Sequence, residues 1–82
     1  MPAIEIYSGD QCPYCIRAKS LLKQRGLEFI EYNVQKDPSK RDEMANRAPG
    51  ARTIPQIFID GQHIGGCDDL FAFDKRGSLI AL

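Results

Sequence analysis

The chain has no tryptophan and a single histidine, His63. With no second histidine or cysteine at ligand spacing from it, His63 reads as a surface or edge residue of a strand, not a metal ligand. No apolar run approaches the ~18 residues of a membrane span, and the amino terminus lacks a basic stretch followed by an apolar one, so no secretory signal is expected. Neither sign of charge prevails, with eleven Lys and Arg against eleven Asp and Glu. That balance argues against nucleic acid or an anionic membrane as the main partner. Cysteine is scarce: Cys12, Cys15 and Cys67. An odd count with one tight pair is unlike the even, widely spaced pattern of a disulfide framework. A reducing compartment, the cytoplasm, is the expected setting, with the pair acting and not stapling.

What is present is ordinary in bulk. The 82 residues suit one domain, 1–82, and the 43% hydrophobic content is that of a globular protein. Residues 3–8 alternate and read as a strand. Pro13 suits the first turn of a helix running to Arg25, with Ala18, Leu21 and Leu22 at helical spacing and Gly26 as its stop. Residues 27–34 read as a second strand. A polar helix opens at Asp37, Pro38 or Ser39 and runs to about Ala48, with Met44 and Ala48 inward, before Pro49-Gly50. Residues 56–59 form a strand, Asp60-Gly61 a hairpin turn, and 62–64 the return strand. Gly65-Gly66 breaks the chain, and Cys67-Asp68-Asp69 opens a last helix to about Arg76. The predicted fold is α/β, ordered β-α-β-α-β-β-α. Its early βαβ unit requires a parallel pair through a right-handed crossover, its hairpin an antiparallel one. A mixed four-stranded sheet flanked by three helices follows.

The four residues Cys12-Pro13-Tyr14-Cys15 carry the chemistry. Two thiols separated by two residues can close and reopen a small disulfide ring. At a strand-to-helix junction, with no second pair downstream, such a motif reads as redox-active, not as a zinc site.

Taken with Arg52-Thr53-Ile54-Pro55-Gln56-Ile57-Phe58 and Gly65-Gly66-Cys67-Asp68-Asp69, this motif resembles the dithiol glutaredoxins, in particular the small bacterial glutaredoxin-3 type with a CPYC centre. The resemblance spans essentially the whole chain. It implies a thioredoxin-like fold, a cis Ile54–Pro55 bond beside the cysteines, and a glutathione-dependent thiol–disulfide oxidoreductase. It implies glutathione as co-substrate and no tightly bound cofactor or metal. Glutathionylated or disulfide-containing proteins, with ribonucleotide reductase as a family expectation, are the implied partners of a monomer.

The expected roles follow from elementary chemistry. Cys12, at the helix N-cap, has free N–H groups and the positive dipole end beside its sulfur, which favours the attacking thiolate. Cys15, one turn inside, resolves the mixed disulfide. Pro13 restricts the ring, and Tyr14 offers an aromatic flank. The Ile54 main chain can accept an extended tripeptide by β-augmentation. The N–H groups at Cys67–Asp69 suit a carboxylate, and the acidic side chains an ammonium. The resemblance thus carries over Tyr14, Thr53, Ile54, Pro55, Gly66, Cys67, Asp68 and Asp69 as glutathione contacts. Arg17 and Arg52 are candidate cations for the glycyl carboxylate.

One position departs from the family. Gly9, followed by Asp10, stands where relatives usually carry Lys, three residues before the first cysteine. Loss of a cation and gain of an anion both disfavour a thiolate, so the Cys12 pKa is expected above that of a typical relative. Other residues have plainer readings. Cys67 is a small buried hydrophobe; Phe58, Phe71 and Phe73 are core; Arg17, Lys19 and Lys23 are a solvated helix face, with Arg17 the exception to test. Two other functions stay open from the residues: a glutathione-ligated [2Fe–2S] module, disfavoured by Pro13-Tyr14, and a thioredoxin-like carrier reduced by a reductase, disfavoured by the missing tryptophan.

Overall fold

A computed structural model describes residues 2–82. Seven elements occur in the expected order: β1 (Ile4–Ser8), α1 (Pro13–Gln24), β2 (Ile30–Asn33), α2 (Pro38–Arg47), β3 (Gln56–Ile59), β4 (Gln62–Gly65) and α3 (Cys67–Lys75). The sheet order is β2-β1-β3-β4. β1 pairs parallel with β2, as the α1 crossover demands, and antiparallel with β3, with Ile4 opposite Ile59 and Ile6 opposite Ile57. β3 and β4 form the hairpin, turning through Asp60 at φ 50° and Gly61 at φ 82°, the paired positive angles of a type I′ turn. This is a mixed sheet with three helices, a thioredoxin-like arrangement.

The two central strands are buried on both faces, so their side chains build two cores. Ile4, Ile6, Ile57 and Ile59 point to one face, where Ala18, Leu21 and Leu22 of α1 and Leu70 of α3 cover them. Tyr7 and Phe58 point to the other, against Val34, Met44 and Ala48. Alternation across a strand thus seats α1 and α3 on one side and α2 on the other. Phe58 is fully core, whereas Phe71 and Phe73 pack at the margin of the first cluster.

The ends of elements differ from the sequence expectation in one informative place. The second strand was expected from residue 27, yet only Ile30–Asn33 pairs. Leu27 N–H donates to Leu22 O at 3.0 Å and Gly26 N–H to Lys23 O at 3.0 Å, a Schellman closure of α1. Leu27 therefore closes a helix instead of starting a strand, and residues 27–29 connect the two elements without pairing. β1 starts one residue later than expected, α2 and α3 end at Arg47 and Lys75, and β4 extends to Gly65. No helix among the described residues is long and apolar enough to cross a membrane.

Candidate active site

The junction of β1 and α1 holds Cys12 in position. Gln11 takes a positive φ of 51°, turning the chain off the strand. Cys12, with extended backbone, is the N-cap of α1, and Pro13 follows at the first helical position, where its missing N–H needs no partner. The Cys12 sulfur accepts a hydrogen bond from Cys15 N–H at 3.2 Å. The two cysteines are joined as a disulfide, with Cα atoms 5.2 Å apart. Cys15 is fully buried while Cys12 is part-exposed. An incoming sulfur can therefore approach Cys12 but not Cys15. On reduction, the Cys15 N–H already directed at the sulfur and the positive end of α1 favour a Cys12 thiolate.

A second wall comes from the segment before β3. The Ile54–Pro55 bond is cis, and the Ile54 carbonyl oxygen lies 3.9 Å from the Cys12 sulfur. The third wall is the start of α3. There Gly66 is the N-cap, and a β-carbon on it would stand 3.4 Å from the Pro55 carbonyl. The N–H groups of Cys67, Asp68 and Asp69 precede the first helical bond, from Leu70 N–H to Gly66 O, and are left for a ligand or water.

Between these walls lies an open cleft of about 640 Å³. Tyr14, Thr53, Ile54, Pro55, Gly66, Cys67, Asp68 and Asp69 all line it. Tyr14 is 55% exposed, leaving its ring free to flank a ligand. Asp69 is partly engaged, since one carboxylate oxygen accepts Gly66 N–H at 3.0 Å and caps α3. Asp68 is exposed and is the more available of the two for an ammonium. Burial raises the Cys67 thiol pKa, so its sulfur is a poor nucleophile and its backbone is the useful part.

Arg17 and Arg52 stand outside the lining. The Arg17 guanidinium sits 5.9 Å from the Tyr14 ring centre and 5.4 Å from that of Phe71, on the Tyr14 side of the site. Arg52 is exposed. Lys19 is not simply solvated, because it pairs with Glu31 at 2.8 Å.

Gly9 and Asp10 also have a local explanation. A β-carbon at Gly9 would come within 2.7 Å of the Gln35 side chain and of Ile54, so Gln35 already fills the space beside this position. Asp10 accepts from the Asn33 amide at 3.0 Å and has Lys36 at 3.8 Å. That cation offsets part of the Asp10 charge.

Sequence reasoning did not place Pro49, Ala51, Gln56, His63 or Gly65 in the cleft, yet they line it too. The detectable signal was Gln56, the one polar residue of the buried run Gln-Ile-Phe-Ile. A buried amide demands partners, and one of them is His63.

Comparison with known proteins gives a consistent result. Residues 4–64 match the family model described as Glutaredoxin. The chain is 54% identical to Glutaredoxin 3 of Escherichia coli over 82 residues, covering 100% of this chain and 98% of that protein. It is 57% identical to a probable glutaredoxin of Synechocystis over 79 residues, 96% of this chain and 90% of the relative. Among solved structures, a glutaredoxin from Brucella melitensis superposes with a TM-score of 0.82 at 48% identity, covering 98% of this chain and 86% of that one. A buckwheat glutaredoxin–glutathione complex gives 0.87 at 29% identity, covering 98% and 74%.

Proposed function

The chain belongs to the glutaredoxin family and is a thiol–disulfide oxidoreductase, and from that premise we propose that glutathione is its co-substrate and occupies the cleft beside Cys12. In this reading residues 1–82 form a single glutaredoxin domain. The observation that carries the reading is a cleft lined by Tyr14, Ile54 and the N-terminus of α3, with the part-exposed Cys12 sulfur 3.9 Å from the carbonyl of that same Ile54. The buckwheat relative solved with glutathione supports it.

The reaction divides into balanced exchanges. The Cys12 thiolate attacks the glutathione sulfur of a mixed disulfide, forming Cys12–glutathione and expelling the substrate thiolate. A second glutathione thiolate then attacks the bound glutathione sulfur. It leaves as oxidised glutathione and regenerates the Cys12 thiolate. With a protein disulfide, the Cys12 thiolate attacks one substrate sulfur, breaking the substrate S–S bond and expelling the other sulfur as a thiolate. Cys15 then attacks Cys12, releasing the dithiol product and closing the Cys12–Cys15 bond, which two glutathiones reopen.

The ligand's cysteinyl main chain would pair with Ile54. Its glutamyl carboxylate would meet the N–H groups of α3, and its ammonium would meet Asp68. Tyr14 would cover the ligand, with Arg17 or Arg52 taking the glycyl carboxylate. Thr53, Pro55, Gly66 and Cys67 shape the remaining wall. Glutathionylated and disulfide-containing proteins, ribonucleotide reductase among them, are the proposed partners of a cytoplasmic monomer. The family match favours neither the [2Fe–2S] module nor a carrier reduced by thioredoxin reductase.

The test is turnover of a glutathione mixed disulfide with glutathione and glutathione reductase. Turnover is expected. No turnover there, with electrons accepted from thioredoxin reductase, would reverse the assignment.

A further inference from the structure

Gln56 is only 5% exposed, yet it lies at the end of β3 that meets the cleft. Its amide nitrogen donates to the Thr53 carbonyl at 3.0 Å and approaches the Thr53 hydroxyl at 3.4 Å. Its amide oxygen lies 2.6 Å from Nε2 of His63 on β4. A backbone carbonyl only accepts, so the amide nitrogen must face Thr53 and the oxygen must face His63. His63 Nε2 therefore carries a proton and donates. The His63 ring packs on Phe58 with centres 4.9 Å apart, which holds that donor in place.

The chain of bonds runs from the edge strand, through a buried amide, to Thr53, whose peptide unit with Ile54 immediately precedes the cis Ile54–Pro55 bond. The bond from Gln56 to the Thr53 carbonyl spans the cis bond. Gln56 and His63 border the cleft, but these atoms are engaged with each other and with Thr53. Their effect on a ligand must pass through the Thr53–Ile54 main chain.

We propose that Gln56, oriented by His63, is a positioning residue that fixes the Thr53–Ile54 main chain for pairing with an extended peptide-like thiol ligand. The assignment rests on the reading of the cleft as a glutathione site. A free Thr53 carbonyl lets this peptide unit rotate, and a ligand must then order it on binding, which weakens affinity by the cost of that ordering. The sulfur chemistry at Cys12 is left unchanged.

Four single variants and one double variant separate positioning from simple packing. Gln56→Leu removes both bonds. Gln56→Glu keeps an acceptor for His63 but turns an acceptor toward the Thr53 carbonyl. His63→Phe keeps the packing on Phe58 and removes the donor. His63→Gln returns a donor. The measurements are KM and kcat for a glutathione mixed disulfide and for the corresponding cysteine mixed disulfide, the alkylation rate of reduced Cys12, and the thermal midpoint.

Gln56→Leu and Gln56→Glu should raise KM for the glutathione substrate about three- to tenfold, the worth of one hydrogen bond. Their kcat and Cys12 alkylation rate should stay within about twofold, taken as the margin for an untouched reacting centre. His63→Phe should shift KM in the same direction by less, His63→Gln should recover it, and Gln56→Leu/His63→Phe should match Gln56→Leu alone. An unchanged KM in Gln56→Leu, or loss confined to the thermal midpoint, would overturn the proposal while leaving the glutathione reading intact. A wild-type protein with no preference for the glutathione over the cysteine disulfide would instead overturn the glutathione reading itself.

Discussion

Gly65 and Gly66 stand side by side, but their reasons for being glycine differ. Gly65 has φ +125°, and a β-carbon there would overlap the Asp69 side chain. That same side chain caps α3 through Gly66 N–H. Gly66 has an extended backbone, and a β-carbon there meets only the Pro55 carbonyl, at ordinary contact distance. Gly65→Ala should therefore destabilise the fold by about 1–3 kcal/mol, the scale of a strained backbone residue, and loosen the α3 cap. Gly66→Ala should leave the denaturation midpoint nearly unchanged and act on ligand affinity. Chemical denaturation of the two variants checks this, and equal losses would contradict it. The sequence marked both glycines as a break in the chain. It gave no means to separate them, because the difference lies in a dihedral angle and in where Asp69 points.

At the scale of elements, α2 is the helix whose attachment was hardest to foresee. Its sequence, PSKRDEMANR, buries only Met44, so apolar burial contributes little to its docking. Polar contacts do the rest. Arg47 makes two bonds to the Glu5 carboxylate at 2.9 and 3.0 Å and a third to the Tyr7 hydroxyl at 2.7 Å, and its guanidinium stacks 4.1 Å from the Phe58 ring centre. Tyr7 donates to Glu43 at 2.5 Å, and Tyr32 donates to Glu5 at 2.9 Å. Burial and the bond to Glu43 push the Tyr7 pKa up to about 12, so it remains a donor at neutral pH. Nothing in a polar helix pattern announces such a clamp, since its hydrogen-bond partners on β1 are 36 to 42 residues away. The clamp matters for the site because α2 leads directly into the segment that carries Thr53, Ile54 and Pro55. Arg47→Met should lower stability by about 1–3 kcal/mol, the cost of leaving a partly buried carboxylate short of its charged partner.

The same clamp predicts an acid response. The Arg47 hydrogen bond holds the Glu5 pKa below the ordinary glutamate value of 4.5, the Tyr7 bond does so for Glu43, and the Lys19 bond for Glu31. As pH falls through 4.5, the unfolded chain takes up protons that the folded chain refuses, so stability falls with it. The contribution is complete above that value and disappears as pH drops through the lower folded values. Arg47→Met removes the Glu5 share, so its stability should fall less steeply with acid than that of the wild type. Denaturation midpoints between pH 6 and about 3 measure this, and parallel curves would contradict it.

Over the whole molecule, the legible features were those with a local cause. Pro13 at a helix start, Gly26 at a helix end and Asp60-Gly61 at a hairpin each act within a few residues, and each does so here. The alternating run at β1 gave a strand for the same reason. The strand order β2-β1-β3-β4 was less legible, because it depends on which hydrophobic faces meet, not on any turn. The cysteine motif, the Thr53-Ile54-Pro55 segment and the start of α3 were each visible separately, and the fold brings them around one cleft. Arg17 and Arg52 fell outside that lining, since residue type does not say where a long cationic side chain rests. Gln56 and His63 were missed as cleft residues because their pairing crosses a hairpin and only burial exposes the need for it.

The central claim is that part-exposed Cys12 attacks and buried Cys15 resolves, beside a glutathione cleft. Cys15→Ser separates the two roles. With glutathione and glutathione reductase supplied, this variant should keep deglutathionylating a mixed disulfide, which needs only Cys12, and lose the dithiol reduction of a protein disulfide. Loss of both activities in a folded Cys15→Ser protein, or retention of both, would contradict the account.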